Sequence, residues 1–210
     1  MMKRQVQFQS GFTMIEVLVT IVILLVGLLG LASLQSRATV AEMEAYQRSQ
    51  ALGLLRQMES VVRAARTQDL TANPPVVASQ FSSSSWSSTD GSVVFGTGNN
   101  AYTAGCSALT MPEREVCDWN MALQGAAELH AGSSSGAMIG ARGCIISVNP
   151  VSVANAVAEF YIVVVWQGLS ATADPQEGTP GARCASSANY GTGLRRAVVS
   201  RVLVPTLTGP

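Results

Sequence analysis

The stretch GFTMIEVLVTIVILLVGLLGLASL, residues 11–34, decides the fold of this chain. After Glu16 it carries no charged residue. Its part from 17 to 34 reaches about 27 Å as a helix, close to the hydrocarbon thickness of a bilayer. A carboxylate at the border of such a segment costs roughly 3 kcal/mol unless a partner compensates it. The sequence therefore predicts a membrane helix whose first acidic residue needs a partner.

Two common N-terminal signals fit this stretch incompletely. A cleaved secretory signal has basic residues directly before the apolar run and a small-x-small site after it. Lys3 and Arg4 lie well upstream, and Glu16 intervenes, although residues 30–32 (Gly-Leu-Ala) resemble a weak cleavage site. A signal anchor accounts for the length and for basic residues on the cytoplasmic side. It leaves the glutamate without a role.

The same stretch resembles the class III signal sequence of the type IV pilin family. In that family a short basic leader ends in glycine. A prepilin peptidase cuts after this glycine and methylates the new N-terminus, usually phenylalanine, and an acid at the fifth mature position serves in assembly. The matching residues here are Gly11, Phe12 and Glu16, with Thr13 as the usual second residue. The resemblance implies cleavage after Gly11, N-methylation of Phe12 and an assembly role for Glu16.

Cleavage would supply the partner that Glu16 needs. A cut after Gly11 creates a cationic amine on Phe12, which we expect to pair with the Glu16 carboxylate of a neighbouring subunit. Opposite charges attract strongly in a low-dielectric medium, and removing one partner is costly. The alternative is a carboxylate that bends toward the lipid headgroups.

One long helix is predicted from about Phe12 to Arg66. No proline interrupts residues 12–69, and apolar residues recur every three or four positions beyond Leu34. The first half is apolar all round and the second is amphipathic, so the second half is expected to pack on a globular domain. Two favourable i,i+4 pairs are expected there: Glu44 with Arg48, and Glu59 with Arg63.

These features predict four parts. They are a prepilin leader (1–11), a transmembrane and assembly half of the helix (12–34), an amphipathic half (35–68) and a periplasmic globular domain (69–210). Major pilins often carry a proline about two thirds of the way through the apolar half. The corresponding region here, 31–34, reads Leu-Ala-Ser-Leu. This departure favours a minor subunit over the bulk of a fibre.

Charge and cysteine content restrict the partners and the compartment. The chain has 13 basic and 13 acidic side chains, and cleavage would remove Lys3 and Arg4, so no electrostatic site for nucleic acid is expected. All four cysteines follow the membrane segment, on the side expected to be oxidising. Four cysteines allow three pairings. The favoured pairing is Cys106 with Cys117 and Cys144 with Cys184.

The remaining chain predicts a small α+β domain. A second helix is expected from Met111 to His130, with Gly132 as its stop. Three strands are predicted at 143–148, 158–167 and 194–204.

Loops are expected between these elements. Residues 79–105 are predicted as a Ser-rich loop in which Phe81 and Trp86 anchor onto the helix, and residues 168–193 as a loop held by Cys184. Arg195, Arg196 and Arg201 are expected on exposed positions.

No enzymatic site is predicted. All four cysteines have expected partners, and His130 is the only histidine and lies in a predicted helix tail. The glycines at 96 and 98 and at 191 and 193 lack the lysine of a phosphate-binding loop. A zinc site is disfavoured because no C-x-x-C occurs. No cofactor and no metal is expected.

The sequence thus predicts a pilin-like α+β protein, a long helix with a membrane-embedded first half packed on a small antiparallel sheet. By resemblance it is most like a PilV-type minor pilin that helps to initiate or cap a type IV pilus. The implied partners are prepilin peptidase, other minor and major pilins, a tip adhesin and the inner membrane. The alternatives are a minor pseudopilin of a type II secretion system and a membrane-anchored extracytoplasmic binding module.

Overall fold

The structure is a computed structural model that describes residues 11–69, 76–82, 85–99, 105–125, 129–130, 133–134, 138–149, 157–205 and 207–208. It divides into two units, Met1–Glu42 and Met43–Pro210. The helices are α1 (Met14–Ala64), α2 (Glu113–Leu123) and α3 (Pro180–Arg183), with one 3-10 turn (Gln80–Ser82). The strands are β1 (Arg66–Asp69), β2 (Val76–Ser79), β3 (Phe95–Gly96), β4 (Leu129–His130), β5 (Ser133–Ser134), β6 (Ile139–Asn149), β7 (Val157–Gln167), β8 (Arg195–Pro205) and β9 (Leu207–Thr208).

Helix α1 is continuous and ends within two residues of its predicted limits. In the second unit it buries one face, formed by residues spaced three or four apart: Gln47, Ala51, Leu55, Met58 and Val62. The predicted pair of Glu59 and Arg63 is present at 2.8 Å. The buried stripe shows that the C-terminal part of α1 packs as an amphipathic helix.

The main sheet is antiparallel, with strand order β3-β6-β7-β8. The three predicted strands correspond to β6, β7 and β8, and β3 is a short fourth strand from within the Ser-rich region. In β7 every residue from Ile162 to Trp166 is buried. A central strand covered on both faces has such a continuous apolar run.

Apolar clusters lie on both faces of this sheet. On one face, α1 and α2 join the sheet in a single core that contains Met58, Trp119, Phe160 and Val202. The indole N–H of Trp119 donates to the backbone carbonyl of Leu54 at 3.0 Å, which ties α2 to α1. The α+β arrangement of a long helix on a small antiparallel sheet is confirmed.

The second cluster lies on the opposite face, under the chain that leads into β8. It contains Cys144, Val163, Cys184 and Tyr190. The disulfide between Cys144 and Cys184 joins strand β6 to the turn after α3 across 40 residues of chain. The predicted loop 168–193 is therefore fastened to the sheet by a covalent bond and by apolar contacts.

The predicted second helix was wrong at its C-terminal end. It was expected to reach His130, but α2 ends at Leu123 and His130 lies in β4, paired with β5. Gly125 adopts a φ of +78°, a left-handed conformation that ends helices readily when the residue has no side chain. The helix thus stops before Gly132, the predicted stop, which lies outside the described residues.

Two aromatic residues attach the Ser-rich region to the globular unit. Phe81 is fully buried in the core cluster that includes α1, and its ring lies 5.7 Å from that of the half-buried Trp86. Ser88 forms an isolated parallel bridge to Ile146 of β6. Both aromatic residues therefore act as anchors, as the sequence suggested.

Candidate assembly site

The residues that the sequence singled out, Gly11, Phe12 and Glu16, lie at or just before the N-terminal end of α1. Gly11, Phe12 and Thr13 precede the helix, and the Thr13 carbonyl accepts the Glu16 backbone N–H at 3.1 Å. Glu16 therefore lies in the first helical turn, where the helix dipole favours a carboxylate. Within the part of the chain that the structure describes, no hydrogen bond or ion pair reaches its side chain.

The segment that follows is apolar on all sides. Over 18 residues its mean hydropathy is 2.9, and none of these residues is buried within the chain. Among the described residues, α1 is the helix that is long and apolar enough to cross a membrane, by length and composition. Gly27 and Gly30 have no neighbouring atom within 4 Å of the place where a Cβ would stand. They leave two shallow positions where another helix can approach.

A second carboxylate of α1, in the other unit, has many partners. One oxygen of Glu44 accepts the backbone N–H groups of Leu169 and Ser170 at 3.0 and 2.9 Å, and the Ser170 hydroxyl at 2.9 Å. Arg196 Nη2 lies 3.3 Å from the same oxygen. We call these four residues the Glu44 cluster. Donation from the Ser170 backbone is the main cause that lowers the pKa of Glu44, and Arg196 adds to it.

The other end of the 168–193 loop is held by a third carboxylate. Asp174 accepts the backbone N–H groups of Gly193 and Arg195 at 2.9 and 3.0 Å. Both bonds lower the pKa of Asp174, and the bond from Gly193 has the larger effect. Arg195 in turn donates to the carbonyl groups of Gly181, Cys184 and Ala185. The loop is thus fixed to α1 at its start and to β8 at its end.

Comparison with known families identifies the N-terminal segment. Residues 7–32 match the prokaryotic N-terminal methylation motif. This segment is similar to the N-terminal segment of type IV pilin-family proteins. The motif implies processing by a prepilin peptidase and association with other pilins, and it fits a pilin or a pseudopilin precursor anchored in the inner membrane. No curated protein and no solved structure shows a significant match to the chain.

In the structure the predicted site residues fall into separate places. Gly11, Phe12 and Glu16 lie together at the start of α1, whereas the cysteines lie in the globular unit. The structure joins Cys106 to Cys117 and Cys144 to Cys184, the pairing that was favoured from the sequence. Cleavage, methylation and the assembly role of Glu16 stay predictions.

The sequence did not reveal the Glu44 cluster. Glu44 was assigned to Arg48, four residues along the helix, and this was wrong, because its oxygen is bound by the 169–170 backbone and Arg196. Arg195 and Arg196 were expected to be exposed, but both are partly buried, whereas Arg201 is exposed as predicted. The partners are 125 or more residues apart, so no local pattern marks them.

The pilin motif belongs to a structural, non-enzymatic kind of protein. Within the described ranges no three His, Cys, Asp or Glu residues are grouped closely enough to hold a metal ion. His130 lies in a two-residue strand and not in the predicted helix tail. The residues around 97 and 192 form turns.

Proposed function

We propose that this chain is a minor pilin, most like PilV-type subunits, that takes part in initiating or capping a type IV pilus. The observation that carries the proposal is the match of residues 7–32 to the N-terminal methylation motif. The Glu16 side chain, which has no partner among the described residues, supports it, because a carboxylate in an apolar segment gains stability from a cation.

In the proposed mechanism the chain inserts into the inner membrane as a precursor. Cleavage removes residues 1–11, and the amine of Phe12 is methylated. This amine pairs with the Glu16 carboxylate of a neighbouring subunit as the helices pack side by side. The exposed apolar surface of 17–34 is then shared between lipid and neighbouring helices, and the small residues Gly27 and Gly30 allow close packing.

The proposed location of residues 69–210 is the periplasm, before assembly, and the pilus at or near its tip afterwards. Two disulfides support an oxidising compartment. The region 31–34 lacks the proline common in major pilins, which supports a minor role. The proposed partners are other minor pilins, the major pilin and a tip adhesin.

Mass spectrometry of the mature protein, purified from its own cells, tests the processing step. We expect an N-methylated Phe12 as the first residue. An intact Met1 at the N-terminus would contradict the pilin proposal and favour a membrane-anchored binding module. A processed chain that is absent from sheared pili, and whose loss impairs type II secretion, would identify a pseudopilin.

The exchange of Glu16 for alanine tests the pairing step. Breaking a buried charge pair costs roughly 3–5 kcal/mol, so incorporation into the pilus complex should fall by about a hundredfold or more. The globular unit should keep its fold. Glu42→Ala is the matched control, since Glu42 is an exposed carboxylate of the same helix and should assemble normally. Normal assembly of Glu16→Ala would show that the pairing is not needed.

A further inference from the structure

Strand β8 lies at one edge of the main sheet, and its pairing shows which of its backbone groups point outward. The Gly168 N–H donates to the Leu194 carbonyl at 2.7 Å, and the register places Arg195 opposite Gln167. In an antiparallel pair, directly opposed residues exchange hydrogen bonds at every second position. The even-numbered residues of β8 therefore bond to β7, and the backbone of its odd-numbered residues points away from the sheet.

Both ends of this outward row are already bound. The Arg195 N–H donates to Asp174, and the Pro205 carbonyl accepts a bond from Arg66. Between them, the backbone N–H and carbonyl groups of the odd positions from 197 to 203 make no hydrogen bond with any residue that the structure describes. We call residues 197–203 the β8 edge.

The opposite side of the sheet is closed. There the Gly96 N–H donates to Asn120 of α2 at 2.7 Å, and the Gly96 carbonyl accepts from Gln124 at 3.1 Å. Beyond β3, the backbone of Ser88 bonds to the backbone of Ile145 and Ser147 in β6. Folded proteins commonly protect sheet edges from pairing with other chains. Among the described residues, the β3 side of the sheet has such protection and the β8 edge does not, so the β8 edge is available for pairing.

The side chains at the β8 edge suit an apolar strand. Val199 and Leu203 are more than two-fifths exposed, and Arg201 stands between them on the same face of the sheet. Arg201 donates through Nε to Glu159 at 2.6 Å, so its two Nη groups remain available within the described structure. A cavity of about 330 Å³ adjoins the N-terminal end of the β8 edge. It is lined in part by Asp174, Gly181, Ala197 and Val199.

We propose that the β8 edge binds an extended segment of another polypeptide chain, which adds a strand to the main sheet. The outward backbone groups can pair with an extended strand. The side chains of Val199, Arg201 and Leu203 favour a partner strand with an acidic residue near Arg201 and apolar residues on either side of it. A symmetric antiparallel pair of β8 strands from two copies, centred on residue 200 or 201, would place the two Arg201 side chains diagonal or opposite to each other, which like charges disfavour. The site lies in the globular unit and does not depend on processing at Gly11.

Amide hydrogen exchange on the full chain in detergent micelles tests this site. The probe is a synthetic peptide, Thr-Val-Thr-Asp-Thr-Val-Thr with blocked ends, and the matched control peptide has lysine in place of aspartate. We expect the aspartate peptide to slow exchange at Val199, Arg201 and Leu203. The even-numbered amides, already bonded to β7, should not change, and the lysine peptide should bind more weakly because Arg201 repels it.

Two variants separate strand addition from general apolar binding. Val199→Pro removes an outward N–H without touching the bonds to β7, so it should weaken peptide binding by about fivefold or more. Val199→Thr keeps the N–H and should bind nearly as well. Absence of slowed exchange at the three odd positions at about millimolar peptide would overturn the proposal. Equal slowing at even and odd positions, or unchanged binding by Val199→Pro, would also overturn it. These outcomes are independent of whether the mature N-terminus is processed at Gly11.

Discussion

Replacing Glu44 by glutamine removes one negative charge from the Glu44 cluster and leaves the side-chain shape almost unchanged. In the native protein a single Glu44 oxygen receives donors from Leu169, Ser170 and Arg196. Glutamine still offers an oxygen to these groups, but a neutral one. The substitution therefore tests how much the charge contributes to holding the 168–193 loop on α1.

The expected loss follows from the kinds of hydrogen bond involved. A bond to a charged group contributes roughly 1.5–3 kcal/mol and a neutral one about 0.5–1.5 kcal/mol. The donors share one oxygen, so their contributions are not additive, and the Glu44 side chain is 27% exposed, so water screens part of the charge. We expect Glu44→Gln to lower the free energy of unfolding by about 1 kcal/mol, or Tm by roughly 2–4 °C.

The effect should depend on pH in a defined direction. The pKa of Glu44 is lowered from 4.5 in the folded protein, mainly by the Ser170 backbone bond. Its contribution to stability is therefore present above the unfolded pKa and is lost as the pH falls through the folded pKa. The Tm difference between wild type and Glu44→Gln should be largest near neutral pH and should shrink below about pH 4.5. Other lowered carboxylates, such as Glu59, are common to both proteins and cancel.

The assay is thermal unfolding of the full chain in detergent micelles, together with hydrogen exchange at Leu169 and Ser170. Both amides should exchange faster in Glu44→Gln. Glu42→Gln is the control, because Glu42 is exposed and makes no bond to the described residues. Equal Tm and equal exchange in wild type and Glu44→Gln would refute the assigned role. A Tm difference that stays constant down to about pH 3 would refute the role of the charge.

Two further substitutions test the packing of the globular unit. Gly143→Ala should destabilise it by roughly 1–3 kcal/mol in thermal or urea unfolding, because the new Cβ would overlap the Trp119 ring. Replacing Cys144 and Cys184 together by alanine should cost about 4 kcal/mol, since this disulfide closes 40 residues of chain. The same exchange at the other disulfide, which closes 11 residues, should cost about 3 kcal/mol.

Each of these substitutions has its own control. Gly53→Ala places a Cβ in α1 with no atom within 4 Å, so it should be neutral or stabilise by up to about 1 kcal/mol. A Gly143→Ala protein as stable as wild type would mean that Trp119 does not pack against β6. Unchanged unfolding after loss of the 40-residue disulfide would mean that the second apolar cluster alone holds the loop.

Much of the secondary structure could be predicted from local patterns. The predicted limits of α1, β7 and β8 agreed with the structure within two residues, because a proline-free periodic run and a β-branched run each specify their own backbone. Strand β6 begins at Ile139, four residues before its predicted start. The second helix was predicted to reach His130, but it ends at Leu123, shortly before the glycine at 125 with its left-handed backbone. The short strand β3 was missed, since two residues carry no periodicity.

The candidate sites also divide into one that the local sequence specifies and one that depends on distant residues. Gly11, Phe12 and Glu16 were recognisable because a processing signal is read by its order along the chain. The Glu44 cluster was not, because a glutamate with an arginine four residues on has the pattern of a helix pair whether or not the pair forms. Arg196 competes for the same oxygen from a distant strand, together with two backbone N–H groups that fold against it.

The sequence by itself determined the long helix, its capacity to cross a membrane and the assembly motif at its start. These properties depend on residues a few positions apart, so chain order is enough to specify them. Only the tertiary structure decided that Glu44 binds the 169–170 backbone and that the outward backbone groups of β8 have no partner among the described residues. Strand order and the partners of a long side chain depend on how distant segments pack together, and no local pattern records this.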